Sequence, residues 1–212
     1  EWVKVNAYAN YNYIEGFVFN GYLTEKELKP RVHVNFDAFR TTFDDLHVIS
    51  SEPMKRTILE DSIAFDVELG YSPEDKIITI KPDINYKKIE VFQSYQTSIS
   101  IMNEGPHCDL LDGQHYTSEW EPLQSITNNK FRSCSYSQSD WRKFDDVNLD
   151  DLKAQVLEHC GETYAKLIAS IKSVNDGPAA VSISTIFFKI VITEANNDKI
   201  EKIIVLNIPM GC

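Results

Sequence analysis

The stretch Ile63-Ala64-Phe65-Asp66-Val67-Glu68-Leu69 puts Ile63, Phe65, Val67 and Leu69 on one side of an extended chain and Ala64, Asp66 and Glu68 on the other. A two-residue apolar period is the mark of a strand buried on one face. Gly70-Tyr71-Ser72-Pro73-Glu74-Asp75 follows, rich in turn formers, and then a second apolar run over residues 76–80. The pattern predicts a β-hairpin. Working outward, the same alternation marks strands over residues 2–8, 13–19, 31–36, 46–50, 87–93 and 97–102. The first half of the chain therefore reads as a mainly antiparallel sheet, half buried on one face.

Beyond residue 103 the periodicity fades. Gly105-Pro106, Asp112-Gly113, Asn128-Asn129 and the serine-rich run 133–139 punctuate a long irregular segment that holds two cysteines and two tryptophans. Such segments are functional or cross-linked more often than idle. Over residues 149–174 the period becomes helical, with Leu149, Leu152, Val156, Cys160, Tyr164, Leu167, Ile171 and Val174 three or four apart. Asn148 suits the N-cap, and Asp150 and Asp151 suit the positive end of the helix. Asn175-Asp176-Gly177-Pro178 ends it. Gly161 costs about 1 kcal/mol relative to alanine inside a helix, so the helix is interrupted there or packs closely against a neighbour. Residues 182–193 and 200–208, joined by a polar turn, read as a C-terminal hairpin. The expected fold is α+β: a mainly antiparallel sheet, one principal helix at about 149–174 and a terminal β-hairpin. It forms a single domain over residues 1–212, with a boundary near residue 103 as the alternative.

With 212 residues, 42% hydrophobic and 11% aromatic, the chain can bury a sizeable core. A net charge of −11 argues against nucleic acid, whose affinity rests on lysine and arginine displacing counterions. A basic protein partner is compatible with the same charge. No run of 18 apolar residues exists, so no transmembrane segment is expected. The chain opens Glu1-Trp2 without methionine and carries four cysteines, a start that removal of a signal peptide would leave and that cutting at a domain boundary would also leave. An even cysteine count suits an oxidising compartment, periplasmic or extracellular. No asparagine stands in an N-x-Ser/Thr sequon, which favours a bacterial exported protein.

Four cysteines allow three pairings. We expect Cys108 with Cys134, closing the irregular region on itself, and Cys160 with Cys212, tying the C-terminal end to the helix. A buried free thiol is the alternative for Cys160. No Cys-x-x-Cys spacing occurs, so structural zinc is not expected.

The densest cluster of potential metal ligands is His107, Asp109, Asp112 and His115. Imidazoles and carboxylates can bind a divalent metal with an open position, but the spacing matches no known metal motif, and polar residues around Gly and Pro are ordinary in loops. No Gly-x-Ser-x-Gly elbow or phosphate-binding glycine loop is present. Aspartate pairs at 44–45, 145–146 and 150–151 suit a solvated surface. Cys108 follows His107 directly, yet adjacent residues on an extended segment point apart. Aromatic side chains in turn-rich surroundings include Tyr8, Tyr11, Tyr13, Tyr116, Trp120, Tyr136 and Trp141; they suit a protein-binding or sugar-binding face, or core packing. The reading favoured is an exported, non-catalytic protein that binds a protein partner, inhibitory or toxin-neutralising in type, through Tyr116, Trp120, Tyr136 and Trp141. It needs no cofactor. The alternatives are a metal-dependent hydrolase using the 107–115 cluster and a carbohydrate-binding module.

Overall fold

The computed structural model describes residues 2–9, 12–19, 30–49, 61–111, 113–144 and 147–210. Along the chain run β1 (Trp2–Ala9), β2 (Asn12–Phe19), β3 (Arg31–Asn35), β4 (Phe39–Asp44), β5 (Ser62–Asp66), β6 (Ile77–Pro82), β7 (Tyr86–Ile101), β8 (Cys108–Leu110), β9 (Tyr116–Thr117), β10 (Glu121–Pro122), β11 (Gln124–Thr127), β12 (Lys130–Arg132), α1 (Gln138–Trp141), α2 (Leu149–Cys160), α3 (Glu162–Leu167), β13 (Ala179–Glu194) and β14 (Lys199–Asn207). The described chain is mostly sheet with short helices. No helix among the described residues is long and apolar enough to cross a membrane.

One sheet runs β10-β7-β13-β14-β5, with β8 and β9 also paired to β7; a second runs β11-β12-β6-β4-β3; β1 and β2 form a two-stranded sheet of their own. All pairings are antiparallel except β14 with β5, which is parallel. The two larger sheets face each other across one core. Val34, Phe39, Phe43, Ile78, Ile80 and Phe131 from one side meet Val91, Ile186, Phe188, Ile190 and Leu206 from the other. The rings of Phe43 and Phe188 lie 5.3 Å apart across that seam. Both sheets mix strands from before and after residue 103.

The 16-residue strands β7 and β13 extend past the second sheet, and their far ends carry a second apolar cluster. There Ile99, Ile101, Ala179 and Val181 pack against Cys108, Leu110, Leu152, Val156 and Ile168. On β13 the inward residues change from odd numbers, up to Ile183, to even numbers from Ile186. A strict two-residue period would turn one set outward. The register shift between Ile183 and Thr185 absorbs one residue and keeps both sets facing in. Ser184, in the bulge, is buried, and its hydroxyl lies 2.7 Å from that of Ser98.

Several expectations are corrected. Residues 63–69 and 76–80 do not form a hairpin: β5 joins β14 in one sheet and β6 joins β4 and β12 in the other. Alternation records which face is buried, and Phe65 and Val67 satisfy it by facing Ile78 and Ile80 across the core. Gly70, at φ +87°, supplies a left-handed turn where the chain leaves the first sheet. Residues 46–49 contribute only a bridge from Val48 to Val67, while the preceding strand β4 went unread because Thr41 occupies a core position. Residues 87–93 and 97–101 belong to one continuous strand, which ends before Met102.

The expected single helix is broken. α2 ends at Gly161, whose φ of +83° and ψ of 179° lie outside the helical region, and α3 adds one short stretch before the chain continues irregularly to β13. The segment after residue 103 is ordered by pairing: β8, β9 and β10 extend the edge of β7, and β11 and β12 extend the other sheet. It links the two sheets.

The cysteine pairing is corrected as well. Cys108 on β8 is bonded to Cys160, the last residue of α2, with Cα atoms 6.0 Å apart. The amphipathic period of α2 explains this. Leu152 and Val156 are buried against β8, and Cys160, one turn further on, continues their row to Cys108. Cys134 has no disulfide partner among the described residues, and Cys212 lies outside them.

Candidate functional site

At the edge of β7, the chain between β9 and β10 leaves the strand and a cavity of about 110 Å³ opens. Gln93, Ser94, Tyr95, Ser118, Glu121, Cys134, Ser135, Tyr136 and Asp140 line it. A rigid frame holds it. Gln93, 3% exposed, accepts the Cys134 backbone N–H at 3.0 Å through its Oε1 and donates from Nε2 to the Tyr136 hydroxyl. Residues 133–136 are pinned from behind by the 73–76 turn. The Ser133 hydroxyl donates to the Pro73 carbonyl and accepts the Lys76 N–H, both at 2.7 Å, and the Glu74 carboxylate accepts the Tyr136 N–H at 2.6 Å. The Ser135 hydroxyl donates to Asp75 at 2.9 Å. Asp75 adopts φ +55°, a conformation that aspartate tolerates better than most residues.

α1 closes the third side. Ser137 is its N-cap, and its backbone N–H and hydroxyl both donate to one oxygen of Asp140, at 2.8 and 2.6 Å, in a reciprocal capping box. The other Asp140 oxygen accepts from the Tyr95 hydroxyl at 3.1 Å. Ser118 fastens the remaining wall, its hydroxyl accepting the Tyr95 N–H at 3.0 Å and its carbonyl accepting the Ser94 hydroxyl at 2.8 Å.

The cavity is electronegative. Hydrogen bonds from the Ser137 hydroxyl hold the Asp140 carboxyl below its ordinary range, against a smaller opposing effect of burial. Burial pushes the Tyr95 hydroxyl well above the usual phenol range, aided by its bond to Asp140. Burial does the same for Tyr136. The Cys134 thiol is raised by burial and then by the nearby charges of Glu121 and Asp75. At neutral pH the tyrosines and the thiol are therefore uncharged while Asp140 is ionised. A protonated, half-buried thiol is a poor nucleophile, so this geometry suits binding better than covalent chemistry.

Tyr95 and Tyr136 line the cavity, and Tyr116 and Trp141 pack beside them against the core. Tyr95 meets Tyr136 edge-on at 5.1 Å and Tyr116 at 6.1 Å, and Trp141 meets Tyr136 edge-on at 6.4 Å. The Lys143 ammonium sits 4.7 Å from the centre of the Tyr116 ring. Three of the four predicted partner-binding aromatics, Tyr116, Tyr136 and Trp141, are thus brought together around Tyr95. Trp120 is elsewhere. It packs edge-on against Phe187 at 6.4 Å, with the Lys189 ammonium 4.5 Å from its ring, on the outer face of the larger sheet, because Phe187 and Lys189 alternate with the core residues Ile186, Phe188 and Ile190. The side chains of Tyr8 and Tyr13, and Tyr11 itself, lie outside the described residues.

The predicted metal ligands show no such convergence. Asp109 accepts from the Ser100 hydroxyl, the Nδ1 of His115 lies 3.1 Å from the Gly113 carbonyl, and the Nδ1 of His107 is buried without a partner among the described residues. Asp112 lies outside the described residues. Among the described residues no three histidine, cysteine or acidic side chains gather closely enough to hold a metal ion. The chain matches no protein-family model and no curated protein sequence.

Sequence reading missed Tyr95, Gln93, Glu121 and Asp140. Tyr95 and Gln93 sit in a strand whose alternation hides them among core residues. The Ser137-x-x-Asp140 spacing was the one available signal, since it resembles a capping box that starts a helix.

Proposed function

We propose that this is an exported, non-catalytic protein that binds a protein partner through the cleft lined by Tyr95 and Tyr136, beside which Tyr116 and Trp141 pack. The observation that carries the reading is the small cavity set among fixed aromatic rings. At about 110 Å³ it falls well below the roughly 300–1,000 Å³ of sites that enclose small-molecule ligands, yet it has room for the end of one side chain. Tyrosine and tryptophan around a pocket that takes a single anchor are the usual makings of an interface hot spot. Their hydrogen-bonded frame keeps the ordering cost of binding low. An acidic protein of this size steers a basic partner toward itself, as an inhibitory or toxin-neutralising protein would. The Cys108–Cys160 disulfide supports a periplasmic or extracellular address.

Capture of partners from the source organism by the immobilised chain, compared with its Trp141→Ala variant, tests the reading. We expect one or a few specific partners retained by the parent chain, lost from the variant, and released as salt rises. Retention by Trp141→Ala equal to that of the parent would overturn it.

A further inference from the structure

We propose that the cavity beside Tyr95 receives a cationic side chain, a lysine or arginine projecting from the partner protein. This rests on the reading of the cleft as a protein-binding site and names what enters it. Three observations converge. First, the lining residues include two carboxylates, Glu121 and Asp140, and no lysine, arginine or histidine. Second, the two carboxylates stand differently. Both Asp140 oxygens are occupied, by Ser137 and Tyr95, whereas the Glu121 side chain has no hydrogen bond or ion pair among the described residues, so its oxygens are open to an incoming donor. Third, the remaining walls are what a cation prefers once water is stripped away: the rings of Tyr95 and Tyr136, neutral hydroxyls, and a thiol.

The charges around the site agree. Glu74 and Asp75 stand behind residues 134–136, and Lys143, whose charge acts on Asp140, lies over Tyr116 and outside the lining. An anionic occupant would face Glu121 and Asp140 with no lining cation. A neutral apolar occupant would make no use of either carboxylate.

Cys134 is a reporter already built into the lining, so the test needs no knowledge of the partner. The oxidised protein is treated with two thiosulfonate reagents of similar size, one carrying a trimethylammonium group and the other a sulfonate. Modification of the Cys134 peptide is followed by mass spectrometry and each rate is divided by that of a small free thiol. We expect the cationic reagent to be favoured by about tenfold or more, as a close unscreened charge allows, with the preference reduced severalfold by Glu121→Gln and by high salt. Butylammonium and butylguanidinium should each protect Cys134 where butyramide does not, and their order tells lysine from arginine. Equal normalised rates, or a preference that Glu121→Gln leaves intact, would overturn the inference. Glu121 lies on a short exposed strand, so this variant should fold. Loss of the charge preference with partner capture still dependent on Trp141 would refute the cation alone. The converse would refute the protein-binding reading alone.

Discussion

Removing the Cys108–Cys160 bond should destabilise the protein by about 4 kcal/mol. The bond closes a loop with a sequence separation of 52. In the chain-entropy treatment such a cross-link removes about 14 cal/mol/K from the unfolded ensemble, or about 4 kcal/mol at 25 °C. Cys108 is 3% exposed and both cysteines belong to the cluster of Ile99, Ile101, Leu152 and Val156, so the bond also holds α2 against β8. The perturbation is Cys108→Ala with Cys160→Ala, and the assay is urea unfolding followed by circular dichroism. With a slope of about 2 kcal/mol/M, the midpoint should fall by about 2 M. Against a typical stability of about 5–15 kcal/mol, that is a large fraction. A loss below about 1 kcal/mol would refute the reasoning. So would a non-reducing digest containing a Cys108–Cys134 peptide, because the two alternative loops differ too little in length for stability alone to tell them apart.

Thr41 is fully buried and its hydroxyl has no partner among the described residues; Thr41→Val replaces it with a methyl of similar size and should stabilise the protein by about 1 kcal/mol, read as a higher urea midpoint, and an unchanged or lower midpoint would count against a partnerless hydroxyl. Ser137→Ala removes both the N-cap of α1 and the main support of the Asp140 carboxylate, and should cost about 1 kcal/mol at neutral pH. Because the Asp140 carboxyl is held below its ordinary range, its contribution is complete above the unfolded value of about 3.9 and is lost as pH falls through the lower folded value. Asp140→Asn should therefore show a smaller loss of stability on acidification than the parent chain; identical acid profiles would contradict the assignment.

Burial faces were far easier to read from sequence than partners. The two-residue period located β3, β6 and most of β7 because each exposes one side and buries the other, and it also marked β1 and β2. It could not say whether Ile63–Leu69 pairs with 76–80 or faces it across a core, since both arrangements bury Phe65 and Val67. Polar residues in core positions concealed what the period would otherwise have shown: Thr41 hid β4, and the strand read over 182–193 gave no sign of the bulge at Ser184 that keeps Ile183 and Ile186 on one face. Gly161 was visible as a weak point in the helix, and the break there follows from a backbone angle that other residues avoid. Three of the four aromatics predicted to bind a partner converge, but Tyr95 and Asp140 join them through a fold that no local spacing records. Cysteine pairing was beyond reach for the same reason, because the row from Leu152 and Val156 to Cys160 meets Cys108 only once β8 has paired with β7.

The most direct measurement of the binding claim is a hydrogen-exchange footprint of the captured partner on this protein. Protection should rise at residues 92–96, 116–121 and 133–141 and remain unchanged on the hairpin of β1 and β2, where Trp2 and Phe17 are exposed. Protection confined to that hairpin, or to the outer face around Phe187 and Lys189, would contradict the placement of the site.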